Sequence, residues 1–446
     1  MADETTKKPQ VILRYTLFQE AVAKSGGDFH EAVDKSASSV AEDPQEQARL
    51  VAAFTNGMGA LEEADTGSAV MSTAQNGIAS RLQSLIVEQA TEQGKVQQLQ
   101  PARQIVSDGD TLTLPELLEV KFDSGDWLGW IGMAGLLLFK PKKSPWQVPP
   151  TTAITIADDA VIAVFADWGT GLYGAPLISN QIAKMGRCDV VLHLGDTYYA
   201  GRPNEIAGRL LLDWPKQSKA LNLALNGNHE MYSGGVGYFK ALGAAPFEQS
   251  SSCFALQNQN WLLLGLDSSY VDSNMDQAQV DWVTSMVNKA TATQKVLLFS
   301  HHQIYSQFDK NAGQGLQGAL GTLLGTGRIY GWYFGHEHRL VAFDPHPQWG
   351  LKARCMGHGG FPEFRPDDLT GSAPNVSQWI PLAAKPALKV PSAFVFDGPN
   401  RFISDKPSEQ VQYVPHGFLV LEFSGNTVSE TFKDPDGGIV RAKTAL

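Results

Sequence analysis

Cysteine is scarce in this 446-residue chain. Cys188, Cys253 and Cys355 are its only three, widely spaced and odd in number. That excludes a disulfide-built scaffold and a cysteine metal cluster, and it implies reduced, partly buried thiols of the kind kept in the cytosol. An excess of basic charge is lacking too. Thirty-five Lys and Arg stand against 46 Asp and Glu, for a net charge of −11, which argues against a general binder of nucleic acids or membrane surfaces. Nor is there a long hydrophobic run. The most apolar stretch, Trp127 to Phe139, has 13 residues, three of them glycine, whereas a membrane-spanning helix needs about 20 apolar residues. The apolar segment 127–139 is expected instead to form a buried hairpin or a surface for a partner. The opening Met1-Ala-Asp-Glu-Thr-Thr-Lys-Lys-Pro9 holds no apolar core of a secretory signal. This points to the cytoplasm, with export by a non-signal route left open.

What is present divides the chain. Its length exceeds one ordinary core. Residues 1–110 are rich in Ala, Gln, Glu and Ser, with helical periodicity over 43–58 and 68–98, and residues 1–145 hold no chemical constellation. They read as a helical packing or assembly region, through which the protein binds a partner or a second copy of itself. Prolines 141, 145, 149 and 150 fall within eleven residues and mark a linker, set at 146–152. From residue 153 to 446 the pattern changes. Apolar runs at 161–166, 189–194, 221–226, 261–266, 295–299 and 329–334 alternate with helical stretches such as 176–187 and 276–290. That alternation is the signature of an α/β domain, whose sites lie at the carboxyl ends of strands. A hairpin over 417–423 and beyond, turning at Gly425-Asn426, is expected near the end.

Five of the loops that follow apolar runs hold metal-binding side chains. They are Ala166-Asp167-Trp168-Gly169, Gly195-Asp196-Thr197-Tyr198-Tyr199, Gly227-Asn228-His229-Glu230, His301-His302 and Gly335-His336-Glu337-His338. An Asp after a strand is ordinarily a turn residue and a lone His a satisfied polar group. Five in succession, all projecting from one sheet edge, are a different matter. Asp196 is placed to bridge two ions, and Tyr199, three residues on, to add a phenolate to one.

The set resembles the metallophosphoesterase (calcineurin-like) superfamily and, within it, the purple acid phosphatases, over about residues 160–430. The family pattern Gly-Asp-x-Gly, Gly-Asp-x-x-Tyr, Gly-Asn-His-(Asp/Glu), a strand-end His and Gly-His-x-His is matched in order, except that Ala166 replaces the first glycine. Most of the superfamily begins with Asp-x-His. Here Gly169 has no ligand to offer, and the resemblance implies that Tyr199 of the second motif stands in. The resemblance implies a β-sandwich flanked by helices (α-β-β-α). It also implies a first metal held by Asp167, Asp196, Tyr199 and His338, and a second held by Asp196, Asn228, His301 and His336. His302 is the alternative to His301, whose His-x-x-x-Tyr spacing to Tyr305 fits the family better.

The chemistry of those donors agrees. A phenol with a pKa near ~10 becomes a phenolate at neutral pH only beside a strong cation, which suits Fe(III) at the first position. Imidazoles, an amide and a shared carboxylate suit Fe(II), Zn(II) or Mn(II) at the second. Such a pair would also reverse the acidic field locally and attract an anion. The activity implied is hydrolysis of a small phosphomonoester by in-line attack of a metal-bound hydroxide. His229 would protonate the leaving oxygen, Glu230 would fix the geometry of its loop, and His358 is a candidate to face the substrate. A phosphodiesterase or nucleotide pyrophosphatase is the alternative within this chemistry. A non-catalytic interaction protein that kept the fold is the alternative outside it.

Overall fold

The computed structural model describes residues 142–171, 174–198, 200–217, 219–363, 365, 369, 375–402 and 407–446, together with Pro44 and Ala48, which are helical. The expected helices over 43–58 and 68–98 otherwise lie outside the described residues, as do the apolar segment 127–139 and Tyr199. Residues 144–231 and 235–446 fall in one compact unit. Among the described residues no helix is long and apolar enough to cross a membrane.

Each of the six apolar runs folds as a strand: β2 (Val161–Phe165), β3 (Val190–His193), β4 (Leu221–Ala224), β6 (Trp261–Gly265), β7 (Lys295–Ser300) and β8 (Ile329–Phe334). Between and around them lie β1 (Ile154–Thr155), β5 (Phe254–Gln257), β9 (Leu340–Phe343), β10 (Lys352–Met356), β11 (Gln378–Leu382) and β12 (Ala393–Asp397). The chain closes with β13 (Phe418–Ser424), β14 (Thr427–Lys433) and β15 (Ile439–Ala445). The hairpin at Gly425-Asn426 is present, with β15 added to it as a third strand.

The strands form two sheets. One has six strands in the order β15-β14-β13-β2-β3-β4, the other nine in the order β1-β5-β6-β7-β8-β10-β9-β12-β11. In the first, β2, β3 and β4 run parallel. In the second, β6, β7, β8 and β10 do. Alternation along each strand assigns its side chains to one face or the other. Ile162 and Val164 meet Leu263, Leu297, Phe299 and Tyr333 in the core between the sheets. Ala163 and Phe165 point outward against helix α1 (Ala175–Ala183), the short helical segment Pro203–Leu211 and helix α2 (Val236–Leu242). On the far side, Leu262, Leu264, Val296 and Leu298 pack under helices α3 (Gln277–Lys289) and α4 (Gln314–Leu324). The architecture is therefore α-β-β-α. Strands apolar on both faces read as unbroken hydrophobic runs because both faces are covered.

Local chemistry sets the helix limits. Asp276 caps α3, its side chain accepting from the Gln279 backbone N at 2.8 Å, and the helix buries Val283, Met286 and Val287. One buried ion pair ties the sheets together. Arg354 of β10 donates to Glu430 of β14 at 3.0 Å, and Tyr333 donates to the same carboxylate at 3.0 Å. The three cysteines are free and buried, as the composition implies.

The proline-rich stretch lies along this unit. Tyr270 Oη donates to the Ser144 carbonyl at 2.8 Å, Ser251 Oγ to that of Gln147 at 3.2 Å and Trp282 Nε1 to that of Pro150 at 2.7 Å. Trp146 packs on Tyr270 with ring centres 4.9 Å apart. Prolines leave such carbonyls without a partner in their own segment, and the unit supplies the donors.

Candidate metal centre

The carboxyl ends of β2, β3 and β4 from one sheet and β7 and β8 from the other meet at a single edge. Three of the residues placed there have left-handed backbones: Asp167 (φ 53°), Asp196 (φ 77°) and His336 (φ 68°). Such conformations cost about 1–3 kcal/mol each for a residue with a side chain, and they persist where the surroundings enforce them. Here hydrogen bonds do so. Asp167 N donates to the Gly195 carbonyl at 3.0 Å, His336 N to Asp167 Oδ2 at 2.8 Å and Asp196 N to Glu230 Oε2 at 3.2 Å. Two glycines make room. A Cβ at Gly227 would stand 2.1 Å from Asp196 Oδ1, and one at Gly195 (φ 105°) would stand 2.9 Å from His301 Nδ1.

Two groups of donors result. Asp167, Asp196 and His338 bring one ligand atom each to within 4.8 Å of the others, and all three are buried. His338 Nε2 lies 3.3 Å from Asp167 Oδ1. The Tyr198 phenol oxygen sits among them, 2.9 Å from Asp167 Oδ1, 3.2 Å from Asp196 Oδ2 and 3.0 Å from His338 Nε2. In the second group His301, His302 and His336 converge within 4.8 Å. Asn228 Oδ1 lies 2.8 Å from His301 Nε2 and 2.9 Å from His336 Nδ1, the two nitrogens being 3.2 Å apart. Asp196 joins the groups, with its Oδ1 3.3 Å from His301 Nε2. His302 is turned to the loop after β6, its Nδ1 3.0 Å from Ser268 Oγ.

Both groups hold more lone pairs than protons. The Tyr198 hydroxyl has one hydrogen to share between two carboxylates, and two imidazole nitrogens face one amide oxygen and each other. The donors therefore fit cations, by oxygen in the first group and chiefly by imidazole in the second. Without cations, protons answer for the crowding. Burial opposes the charge of Asp196, yet the imidazoles of His301 and His229 hold its carboxyl well below the usual carboxylate range. Burial likewise opposes charging of His301, but Asp196 raises it to about 9. His336, pushed down by burial and by His301, falls to about 3. His338 rises to about 9, its burial outweighed by hydrogen bonds to Asp167 and Glu363. Burial, reinforced by Asp167 and Asp196, lifts the Tyr198 phenol well above 10.

The remaining residues fall around this centre. His229 is buried, its backbone N donating to Asp196 Oδ1 at 3.0 Å and its Nε2 3.7 Å from Asp196 Oδ2. Glu230 Oε2 accepts from the backbone N of Gly227 at 2.8 Å and of Asp196, so it ties two of the loops together. Burial and the charge of Asp196 push Glu230 up to about 7. His358 is 1% exposed and packs beside Gly417, where a Cβ would stand 2.8 Å from its Nε2, and among the described residues it joins neither donor group. Two residues at this centre were not among the expected ones. The Tyr198 phenol lies among the donors of the first group, whereas Tyr199 lies outside the described residues. Glu363, 3.1 Å from His338 Nδ1, lies outside every motif.

Residues 160–340 match the family described as calcineurin-like phosphoesterase, the stretch in which all five motifs lie. No curated protein matches it. Solved structures are similar to it at low identity. A purple acid phosphatase from yellow lupin (Lupinus luteus) seeds is 14% identical, with 65% of this chain and 53% of that chain covered and a TM-score of 0.45. The match thus spans about half the length of the lupin protein. GAP50, the anchor in the inner membrane complex of Plasmodium, is 15% identical over 65% of this chain and 88% of its own, with a TM-score of 0.46. A dimetal phosphatase from Danio rerio is 11% identical over 65% and 98%, with a TM-score of 0.39.

Proposed function

We propose that this protein is a dinuclear metal-dependent phosphohydrolase acting on phosphomonoesters. The observation that carries the reading is the joining of two donor groups through Asp196, at a sheet edge where three of the contributing residues hold strained backbones. Asp167, Asp196, His338 and a tyrosine would hold one ion, and Asp196, Asn228, His301 and His336 the other. The oxygen-rich set suits Fe(III) and the imidazole set Fe(II), Zn(II) or Mn(II). Such ions would supply positive charge to the phosphoryl oxygens and make a bound water acidic.

The chain's own residues provide the rest. Asp196, held by the backbone N of His229 and by its neighbours, keeps the two donor groups in fixed register. His229, placed against Asp196 at the same edge, gives a proton to the departing oxygen. Glu230 keeps the Asp196 and Asn228 loops together. The acidic surface elsewhere is tolerable because the anion is recognised only where the cations sit.

Hydrolysis of p-nitrophenyl phosphate against bis-p-nitrophenyl phosphate, over a range of pH and with iron, manganese or zinc supplied, tests the reading. Turnover of the monoester in preference to the diester is expected. Preference for the diester moves the protein to the phosphodiesterases. No turnover of either ester by protein carrying both metals contradicts a general phosphohydrolase.

A further inference from the structure

We infer that Tyr198 supplies the phenolic ligand of the first metal position, one residue earlier than the Gly-Asp-x-x-Tyr spacing assigns. The inference rests on the two-metal reading above and concerns which tyrosine completes it.

The backbone gives the reason. Gly169, where most relatives of this superfamily place a histidine, lets the second loop come close: a Cβ there would stand 2.8 Å from the Thr197 Cα and 2.8 Å from the Asp196 carbonyl. The vacated space is taken by a strand-like bridge between Gly169 and Thr197, extended by Tyr198 N donating to the Gly169 carbonyl at 2.9 Å. With the loop held there, the Tyr198 phenol oxygen reaches Asp196 Oδ2 at 3.2 Å, Asp167 Oδ1 at 2.9 Å and His338 Nε2 at 3.0 Å.

The ring is fixed as firmly as its backbone. Tyr198 is 1% exposed, and its ring centre lies 4.3 Å from that of His229 and 4.3 Å from that of Phe361. Its carbonyl accepts from Arg209 Nη1. A buried phenol held between two carboxylates can satisfy only one of them with its hydrogen. Asp167, Asp196 and Tyr198 would each offer an oxygen to a cation held there, a charge that their shared single hydrogen does not balance. The histidine that Gly169 replaces and the phenol of Tyr198 are thus two solutions to one missing ligand, linked through the closeness that glycine permits.

Ferric iron bound by a tyrosinate absorbs visible light by charge transfer from the phenolate, whereas carboxylate and imidazole ligands give no such band. The test is the visible spectrum of metal-free protein reconstituted with ferric iron, for the parent chain, Tyr198→Phe and Tyr199→Phe, with iron and zinc content measured on each. The band is expected in the parent and in Tyr199→Phe and is expected to vanish in Tyr198→Phe, which should still take up zinc through Asn228, His301 and His336. That residual uptake shows the variant to be folded. A band that survives Tyr198→Phe and disappears in Tyr199→Phe overturns the inference. So does iron-loaded parent protein with no visible band. A parent protein that takes up no metal overturns instead the two-metal reading beneath it.

Discussion

Glu363 Oε2 lies 3.1 Å from His338 Nδ1, while the opposite nitrogen of the same ring faces Asp167 at 3.3 Å and Tyr198 at 3.0 Å. The carboxylate fixes which nitrogen of His338 is free to bind an ion and makes that nitrogen a better donor. It is itself set by the backbone, Val414 N donating to the Glu363 carbonyl at 3.0 Å. Glu363→Gln should weaken binding at the first position by about 10–100-fold and leave the Asn228–His301–His336 position unchanged. Competitive metal titration of the two positions measures this. Equal affinity in parent and variant would show that Glu363 does not act through His338.

Metal uptake should be linked to protons. His301 and His338 resist charging through burial but are raised to about 9, the first by Asp196 and the second by Asp167 and Glu363. Both pKa values exceed the ordinary 6.5. In the metal-free protein the stabilisation these groups add is therefore complete below about pH 6.5 and is lost as pH rises through about 9. At neutral pH an incoming ion must displace both protons. Affinity is expected to climb with pH from about 6.5 to about 9 and then level off, and calorimetry in buffers of different protonation enthalpy should register proton release. An affinity flat across that range contradicts these assignments.

His229 is expected to matter in proportion to how badly the leaving group needs a proton. With His229→Asn, hydrolysis of an alkyl phosphate should fall on the order of 10²–10⁴-fold, whereas p-nitrophenyl phosphate, whose leaving group departs unaided, should lose far less. The ratio of kcat values for the two esters is the readout. A uniform loss would make His229 a positioning residue for Asp196, 3.7 Å away, rather than an acid.

The ion pair between the sheets offers a check of the fold apart from the site. Arg354 and Glu430 are 8% and 1% exposed, and the carboxylate also accepts from Tyr333. Glu430→Gln leaves a buried guanidinium without its counter-charge and should destabilise the protein by about 3–5 kcal/mol. Denaturant unfolding measures it. A loss below about 1 kcal/mol would mean that water reaches the pair.

What could be read in the sequence follows from what packs on each strand. Strands β2, β3, β4, β6, β7 and β8 are covered on both faces, so their sequences are apolar throughout and stand out. Strands β10 and β11 do not. Arg354 interrupts the first because its charge is neutralised by a residue far along the chain, and the second, Gln378–Leu382, is half-exposed along its length. The strand-end donor groups were legible because a carboxylate, amide or imidazole set directly after an apolar run marks the edge where a buried strand reaches a polar site, and five such edges recur in order. The place of Tyr198 was not, since its phenol comes to Asp167, Asp196 and His338 only once the chain has folded. Glu363 was not either, because its bond to His338 exists only once the chain has folded.

If Asp196 joins two metal positions, each chain should hold two ions and lose both with that carboxylate. Elemental analysis of protein purified without chelator, then dialysed against iron, manganese or zinc, should find two ions in the parent. It should find neither held tightly in Asp196→Asn, because one amide then replaces a carboxylate shared by both donor groups. Two ions retained in Asp196→Asn, or none taken up by folded parent protein, would contradict the account.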